Sequence, residues 1–116
     1  MILADYTVSL SGTLLDAVQT IDHNHSRCCI VTEDDKVVGI LSEGDILRAL
    51  MKGSDVRAPI AKYFNASFKF LHESNRKKAL ELFRRHGITL IPIVDREFRL
   101  KGVLTWKDIL DDGIEA

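Results

Sequence analysis

The sequence is poor in cysteine, proline and aromatic side chains, and its charges nearly balance. Two cysteines, two prolines and one tryptophan occur in 116 residues, with 16 basic against 17 acidic side chains. Cys28 and Cys29 are adjacent. Neighbours in a strand point to opposite faces, so no bond between them is expected and no disulfide framework exists. Two thiols of that kind fit a reducing cytoplasm. A net charge of −1 leaves no footprint for a nucleic-acid partner. No apolar run approaches the roughly 20 residues that span a bilayer, and no charged-then-apolar leader opens the sequence. No membrane is therefore expected as a partner. Glycine-rich phosphate loops, paired carboxylates and hydroxyls beside a base are also missing, and Ser11 and Ser42 have no such base. The chain is not expected to be an enzyme.

What is present is one eleven-residue phrase stated twice. Val37-Val-Gly-Ile-Leu-Ser-Glu-Gly-Asp-Ile-Leu47 lies over Leu100-Lys-Gly-Val-Leu-Thr-Trp-Lys-Asp-Ile-Leu110. Gly39/Gly102, Leu41/Leu104, Asp45/Asp108, Ile46/Ile109 and Leu47/Leu110 are identical, and Ser42 lies over Thr105. An internal repeat governs the reading of the whole fold. Each phrase opens with a β-branched apolar run suited to a strand. Each then places a hydroxyl where a helix starts and an aspartate three residues later, which is a capping box. The same corner has the chemistry to hold a nucleotide. Spare N–H groups and the hydroxyl suit phosphate, and the carboxylate suits ribose hydroxyls.

Taken in order, Tyr6–Leu10 reads as a lead-in strand. Thr13-x-x-Asp16 caps a helix carrying Leu14, Val18 and Ile21 on one face. Arg27–Thr32 and Lys36–Leu41 read as a hairpin. A helix from Glu43 turns Ile46, Leu47, Leu50 and Met51 inward and stops at Gly53. The connector runs over about 54–64, with a short helical turn after Pro59. Phe64–Leu71 repeats the lead-in strand, with Phe68 and Phe70 on one face. Ser74 caps a helix with Ala79, Leu80 and Phe83 inside and a stop at His86-Gly87. Its basic residues, Arg76-Lys77-Lys78 and Arg84-Arg85, read as a solvated face. Ile88–Val94 and Leu100–Leu104 form the second hairpin, and a last helix ends near Gly113. One domain of 1–116 is expected, with repeat one at about 5–53 and repeat two at about 65–112. A chain this size buries roughly two-thirds of its unfolded surface. Each half alone would be marginal. The expected class is α+β. Two βαββα units, related by a pseudo-two-fold axis, pack sheet against sheet.

These residues resemble a tandem pair of cystathionine-β-synthase (CBS) domains, a Bateman module, over about Thr7 to Leu110. His86-Gly-Ile-Thr-Leu-Ile-Pro-Ile-Val-Asp95 matches that family's second-strand signature. In repeat one, Cys29 is laid over Pro92 and Thr32 over Asp95, with one residue missing between helix and strand. On that register Arg27 lies over Leu90. Gly44-Asp-Ile-Leu-Arg-Ala-Leu-Met-Lys-Gly53, followed by Ala58-Pro59-Ile60, further resembles a subgroup attached to bacterial sugar-phosphate nucleotidyltransferases. That subgroup's usual Asn-Pro is Asn65-Ala66 here.

The resemblance implies an adenosine ligand in clefts between the repeats: AMP, ADP or ATP, with S-adenosylmethionine ranked behind them. It also implies a homodimer and a regulated catalytic domain in cis or in trans. Carried over, cleft one sets Ile40, Ser42 and Asp45 against Phe68, Lys69, Ile88, Thr89 and Leu90. Cleft two sets Val103, Thr105 and Asp108 against Thr7, Val8, His25, Ser26 and Arg27. The aspartates would take ribose, the hydroxyls phosphate and the apolar side chains adenine, with Arg27 a phosphate contact in cleft two. The alternative is a dimerisation module that binds no ligand. His23-x-His25 with a cysteine matches no common zinc spacing, and no metal is expected. Trp106 reads as packing or a dimer contact, and Lys107 as solvated or reaching a phosphate.

Overall fold

A computed structural model describes residues 2–111. After a 3-10 turn at Leu3–Tyr6 come β1 (Thr7–Ser9), α1 (Leu14–Asn24), β2 (Cys28–Glu33), β3 (Lys36–Ser42) and α2 (Glu43–Met51). A connector containing a second 3-10 turn, Ile60–Lys62, leads to α3 (Arg76–His86), β4 (Leu90–Val94), β5 (Leu100–Thr105) and α4 (Trp106–Asp111). The expected helix end near Gly113 lies outside the described residues. The class is α+β. β1 pairs parallel with β2 across α1, and β2 pairs antiparallel with β3. The β2–β3 turn is tight because Asp34 and Asp35 both adopt left-handed backbone, φ 52° and 64°. β4 and β5 form the matching hairpin. No described helix is long and apolar enough to cross a membrane.

Three apolar layers hold the molecule together. Leu14, Ala17, Ile21, Ile46 and Ala49 of α1 and α2 pack on Cys29, Val31 and Leu41. The opposite face of that sheet, Cys28, Ile30 and Val37, packs on Leu90, Val94 and Val103 of the second sheet. Ala79, Phe83 and Ile109 of α3 and α4 close over Ile91 and Leu104. Alternation along each strand therefore feeds two layers at once. Each sheet is covered by its own helices on one side and by the other repeat on the other.

Four expectations are corrected. The second lead-in is not a strand: Phe64–Leu71 makes isolated bridges, Asn65 to Ile40 and Leu71 to Ile93, and no ladder forms between them. Phe68 and Phe70 do share one face, with ring centroids 5.7 Å apart beside Phe98. α3 is capped by Asn75, whose side chain accepts from the Lys78 N–H at 3.0 Å, rather than by Ser74. Along α2 it is Ile46 and Ala49 that are buried, whereas Leu47, Leu50 and Met51 are exposed, as is Val18 on α1. The sheet beneath covers only a narrow stripe of each helix, so apolar residues beside that stripe stay in solvent.

The fourth correction concerns the register between repeats. Cys28 pairs with Ser42, and Leu90 with Thr105. Cys28 therefore matches Leu90, Ile30 matches Pro92, and Arg27 matches Thr89. No residue is missing: His25 and Gly87, the left-handed caps of α1 and α3, each lie three residues before the matched pair. Backbone bonds repeat the match. Glu43 N–H donates to the Arg27 carbonyl and Trp106 N–H to the Thr89 carbonyl, each at 2.9 Å.

Candidate ligand-binding site

The repeated phrase builds two strand-to-helix corners. At the first, Ser42 Oγ accepts from the Asp45 N–H at 3.1 Å. The Asp45 carboxylate accepts from the Ser42 N–H at 3.0 Å and from its hydroxyl at 2.9 Å. The other Asp45 oxygen accepts from the Arg48 guanidinium at 2.8 Å. At the second corner, Thr105 Oγ1 accepts from the Asp108 N–H at 3.0 Å. Asp108 Oδ2 is buried with no hydrogen-bond partner among the described residues. Burial raises the pKa of Tyr6, and the charges of Asp108 and then Asp5 raise it further.

A cavity of about 390 Å³ lies between the repeats at the first corner. Ile40 and Ser42 line one side; Phe68, Lys69, Ile88, Thr89 and Leu90 line the other. Asp45 stands behind Ser42, held in the cap. Of the residues expected at cleft one, all but Asp45 line this cavity. The structure also brings Arg27 there: the start of β2 lies beside the start of α2, and Arg27 Nε donates to Glu43 Oε1 at 3.1 Å. Arg27 and Lys69 bring positive charge, and Glu43 is the one carboxylate among the described lining residues.

Sequence reasoning missed Glu43 and Gly44, although both lie inside the repeated phrase between Ser42 and Asp45. It also missed Cys28 and Asn65. The strand register exposes the first. The second is held over the site by two backbone bonds to Ile40, at 2.8 and 3.0 Å. Thr89 joins the two repeats here. Its hydroxyl donates to the Ser26 carbonyl at 2.6 Å and lies 3.9 Å from Cys28 Sγ.

Of the residues expected at cleft two, Val8, Ser26, Val103 and Thr105 are buried, but Val8 lies in the core under α1 and α2 whereas Val103 lies between the sheets. Leu3 and Tyr6 of the N-terminal turn pack on the core that contains Val103. Thr7 Oγ1 donates to the Ala4 carbonyl at 3.4 Å, and His25 is an exposed helix cap. His23 faces Asp5 at 3.3 Å.

A family model of the CBS domain matches residues 3–52 and again residues 70–114. The chain belongs to the CBS domain family. It is a tandem pair, and the two matches coincide with the two repeats. This CBS pair is 36% identical over 90 residues to an uncharacterised protein of Helicobacter pylori, covering 75% of this chain and 27% of that protein. It is 31% identical over 113 residues to an inosine-5'-monophosphate dehydrogenase of Aquifex aeolicus, covering 95% of this chain and 23% of the enzyme. The pair thus spans about a quarter of the length of these relatives. Among solved structures it resembles a CBS domain protein of Pyrobaculum aerophilum complexed with AMP. The TM-score is 0.76 at 25% identity, covering 95% of this chain and 91% of that one.

Proposed function

We propose that this CBS pair is a regulatory module that binds an adenosine nucleotide (AMP, ADP or ATP) in the cavity at Ser42. Its occupancy controls a catalytic domain in cis or in trans. The observation that carries this reading is the lining of the cavity. Apolar Ile40, Phe68, Ile88 and Leu90 face a helix start with its hydroxyl, and Lys69 and Arg27 add positive charge. Apolar walls accept adenine, and cations beside a helix N-terminus accept phosphate. Asp45 takes ribose hydroxyls in exchange for Arg48, and Thr89 reads the base edge with its backbone. The AMP complex of the Pyrobaculum relative supports the ligand class. A second site is proposed at Val103, Thr105 and Asp108 with Thr7, Val8 and Ser26, supported by the buried Asp108 Oδ2 that has no hydrogen-bond partner among the described residues.

An enzyme relative that carries the pair as a minor part of its length supports a catalytic partner. The segment Gly44–Gly53 points to a sugar-phosphate nucleotidyltransferase, acting in the cytoplasm. Binding then acts by population shift, favouring the arrangement that holds the ligand better.

The test is thermal unfolding against AMP, ADP, ATP, S-adenosylmethionine, NAD and CTP. At a hundred times its dissociation constant one ligand adds about 2.7 kcal/mol. For a domain of this size that is a rise on the order of 10 °C. A rise with an adenosine nucleotide, smaller in Lys69→Ala, is the expected result. No rise with any compound rejects the reading. It would favour the second one, a ligand-free homodimerisation module, which rests on the exposed apolar face of Val18, Leu47, Leu50 and Met51.

A further inference from the structure

Glu43 touches two hollows. It lines the nucleotide cavity, and it also lines an apolar groove between α1 and α2, about 310 Å³, with Asp22, Ile46, Leu47 and Leu50. Its carboxylate is held at the cavity edge by Arg27 Nε at 3.1 Å, while its backbone N–H is tied to the Arg27 carbonyl. Arg27 itself is fixed in left-handed backbone, φ 67°. The backbones of both residues are thus fixed at the cavity edge, and the side-chain pair between them is free to exchange partners.

We propose that this ion pair is the phosphate-responsive element of the site: the phosphate of a bound nucleotide takes Arg27 from Glu43, and the released carboxylate turns toward the α1–α2 groove. The side chains of Arg27 and Glu43 are 75% and 46% exposed, so their pairing is weak and readily exchanged. A phosphate carries more charge than a carboxylate and matches the guanidinium fork. Asp22 also lines the groove, so the arriving carboxylate adds to a negative charge already there. The exchange carries a signal, because the groove lies among the exposed apolar side chains of α1 and α2. The proposal rests on nucleotide binding at this cavity and names how that site is read out.

The test is titration calorimetry of the whole chain with adenosine and with AMP, repeated in Arg27→Ala and Glu43→Gln. The unaltered chain is expected to bind AMP at least tenfold more tightly than adenosine. Arg27→Ala should remove most of that difference. Glu43→Gln should tighten AMP severalfold and by a larger factor than adenosine, a gain that general damage to the fold does not produce. Labelled methyl resonances of Ile46, Leu47 and Leu50 should move with AMP but not with adenosine, and should no longer discriminate in Glu43→Gln. AMP binding that is unaltered in both variants overturns the inference and leaves the proposed function standing. If neither adenosine nor AMP binds the unaltered chain, both fall.

Discussion

Cys28 and Cys29 are consecutive in the chain, yet their side chains belong to different cores. Cys28 lies between the two sheets, and Cys29 lies under α1 and α2. Both are free and buried. Burial pushes the Cys28 thiol up to about 11 and that of Cys29 up to about 12.

A pH dependence follows from these values. Unfolded thiols release their protons from about pH 9, whereas the buried ones hold theirs until about 11 and 12. Over that window the folded chain binds more protons, so stability falls as pH rises. Each thiol contributes about 1.4 kcal/mol per pH unit. Urea unfolding at pH 8 and pH 10 should show a smaller loss in Cys29→Ala than in the unaltered chain. An identical loss in both would reject the assignment.

Periodicity made the two-layer role of β2 legible, since alternation alone sends neighbouring cysteines to opposite faces. The repeated phrase likewise disclosed both corners, with Ile40 and Ser42 of the cavity lining, and the family resemblance supplied Phe68, Lys69, Ile88, Thr89 and Leu90. The register of repeat one was not legible. Aligning Cys29 with Pro92 lays Ile30-Val31 over the identical Ile93-Val94, so sequence favours it, and only the ladder pairings of Cys28 with Ser42 and Leu90 with Thr105 show the one-residue slip. Arg27 was expected at the second corner because the resemblance sets the second strand of repeat one against the aspartate of repeat two; its side chain turns to Glu43 instead. The exposure of Leu47, Leu50 and Met51 was hidden for another reason. An apolar helical pattern does not say whether the same chain or another surface covers it.

The matching glycines should respond differently to substitution. A Cβ on Gly39 would stand 2.3 Å from the Phe64 ring and 2.6 Å from the Asn65 carbonyl, because the connector crosses β3 there. A Cβ on Gly102 would meet only the Ile93 side chain, at 3.4 Å. Gly39→Ala is expected to cost about 1–3 kcal/mol through overpacking against backbone. Gly102→Ala should change stability by under about 0.5 kcal/mol. Denaturant midpoints of the two variants, measured side by side, decide the point.

Asp45→Ala removes one half of a capping box and is expected to cost about 1 kcal/mol whether or not a nucleotide binds. Asp16→Ala is the matched control. Asp16 accepts from the Thr13 N–H at 2.9 Å in an equivalent box on α1, away from the cavity. Both variants should lose similar stability, and only Asp45→Ala should also lose nucleotide affinity in calorimetry well below its melting point. Equal affinity in the two would confine Asp45 to capping.

The exposed face of α1 and α2 yields the last prediction. Leu47 is 59% exposed and Met51 84%, on a helix that already buries Ile46 and Ala49. In repeat two, α3, the counterpart of α1, carries Lys77, Arg84 and Arg85 on its exposed surface. Of these three only Arg85 is paired among the described residues, with Glu81 at 3.1 Å, so that face carries net positive charge and disfavours its own copy. Self-association through repeat one satisfies two-fold symmetry without placing like charges opposite each other. Leu47→Lys leaves the core intact and should shift the denaturation midpoint little, by under about 0.5 kcal/mol. In sedimentation the unaltered chain is expected to run as a dimer and Leu47→Lys as a monomer. A dimer that survives both Leu47→Lys and Met51→Lys would move the interface elsewhere on the molecule. An unaltered chain that sediments as a monomer would leave this face to a different partner.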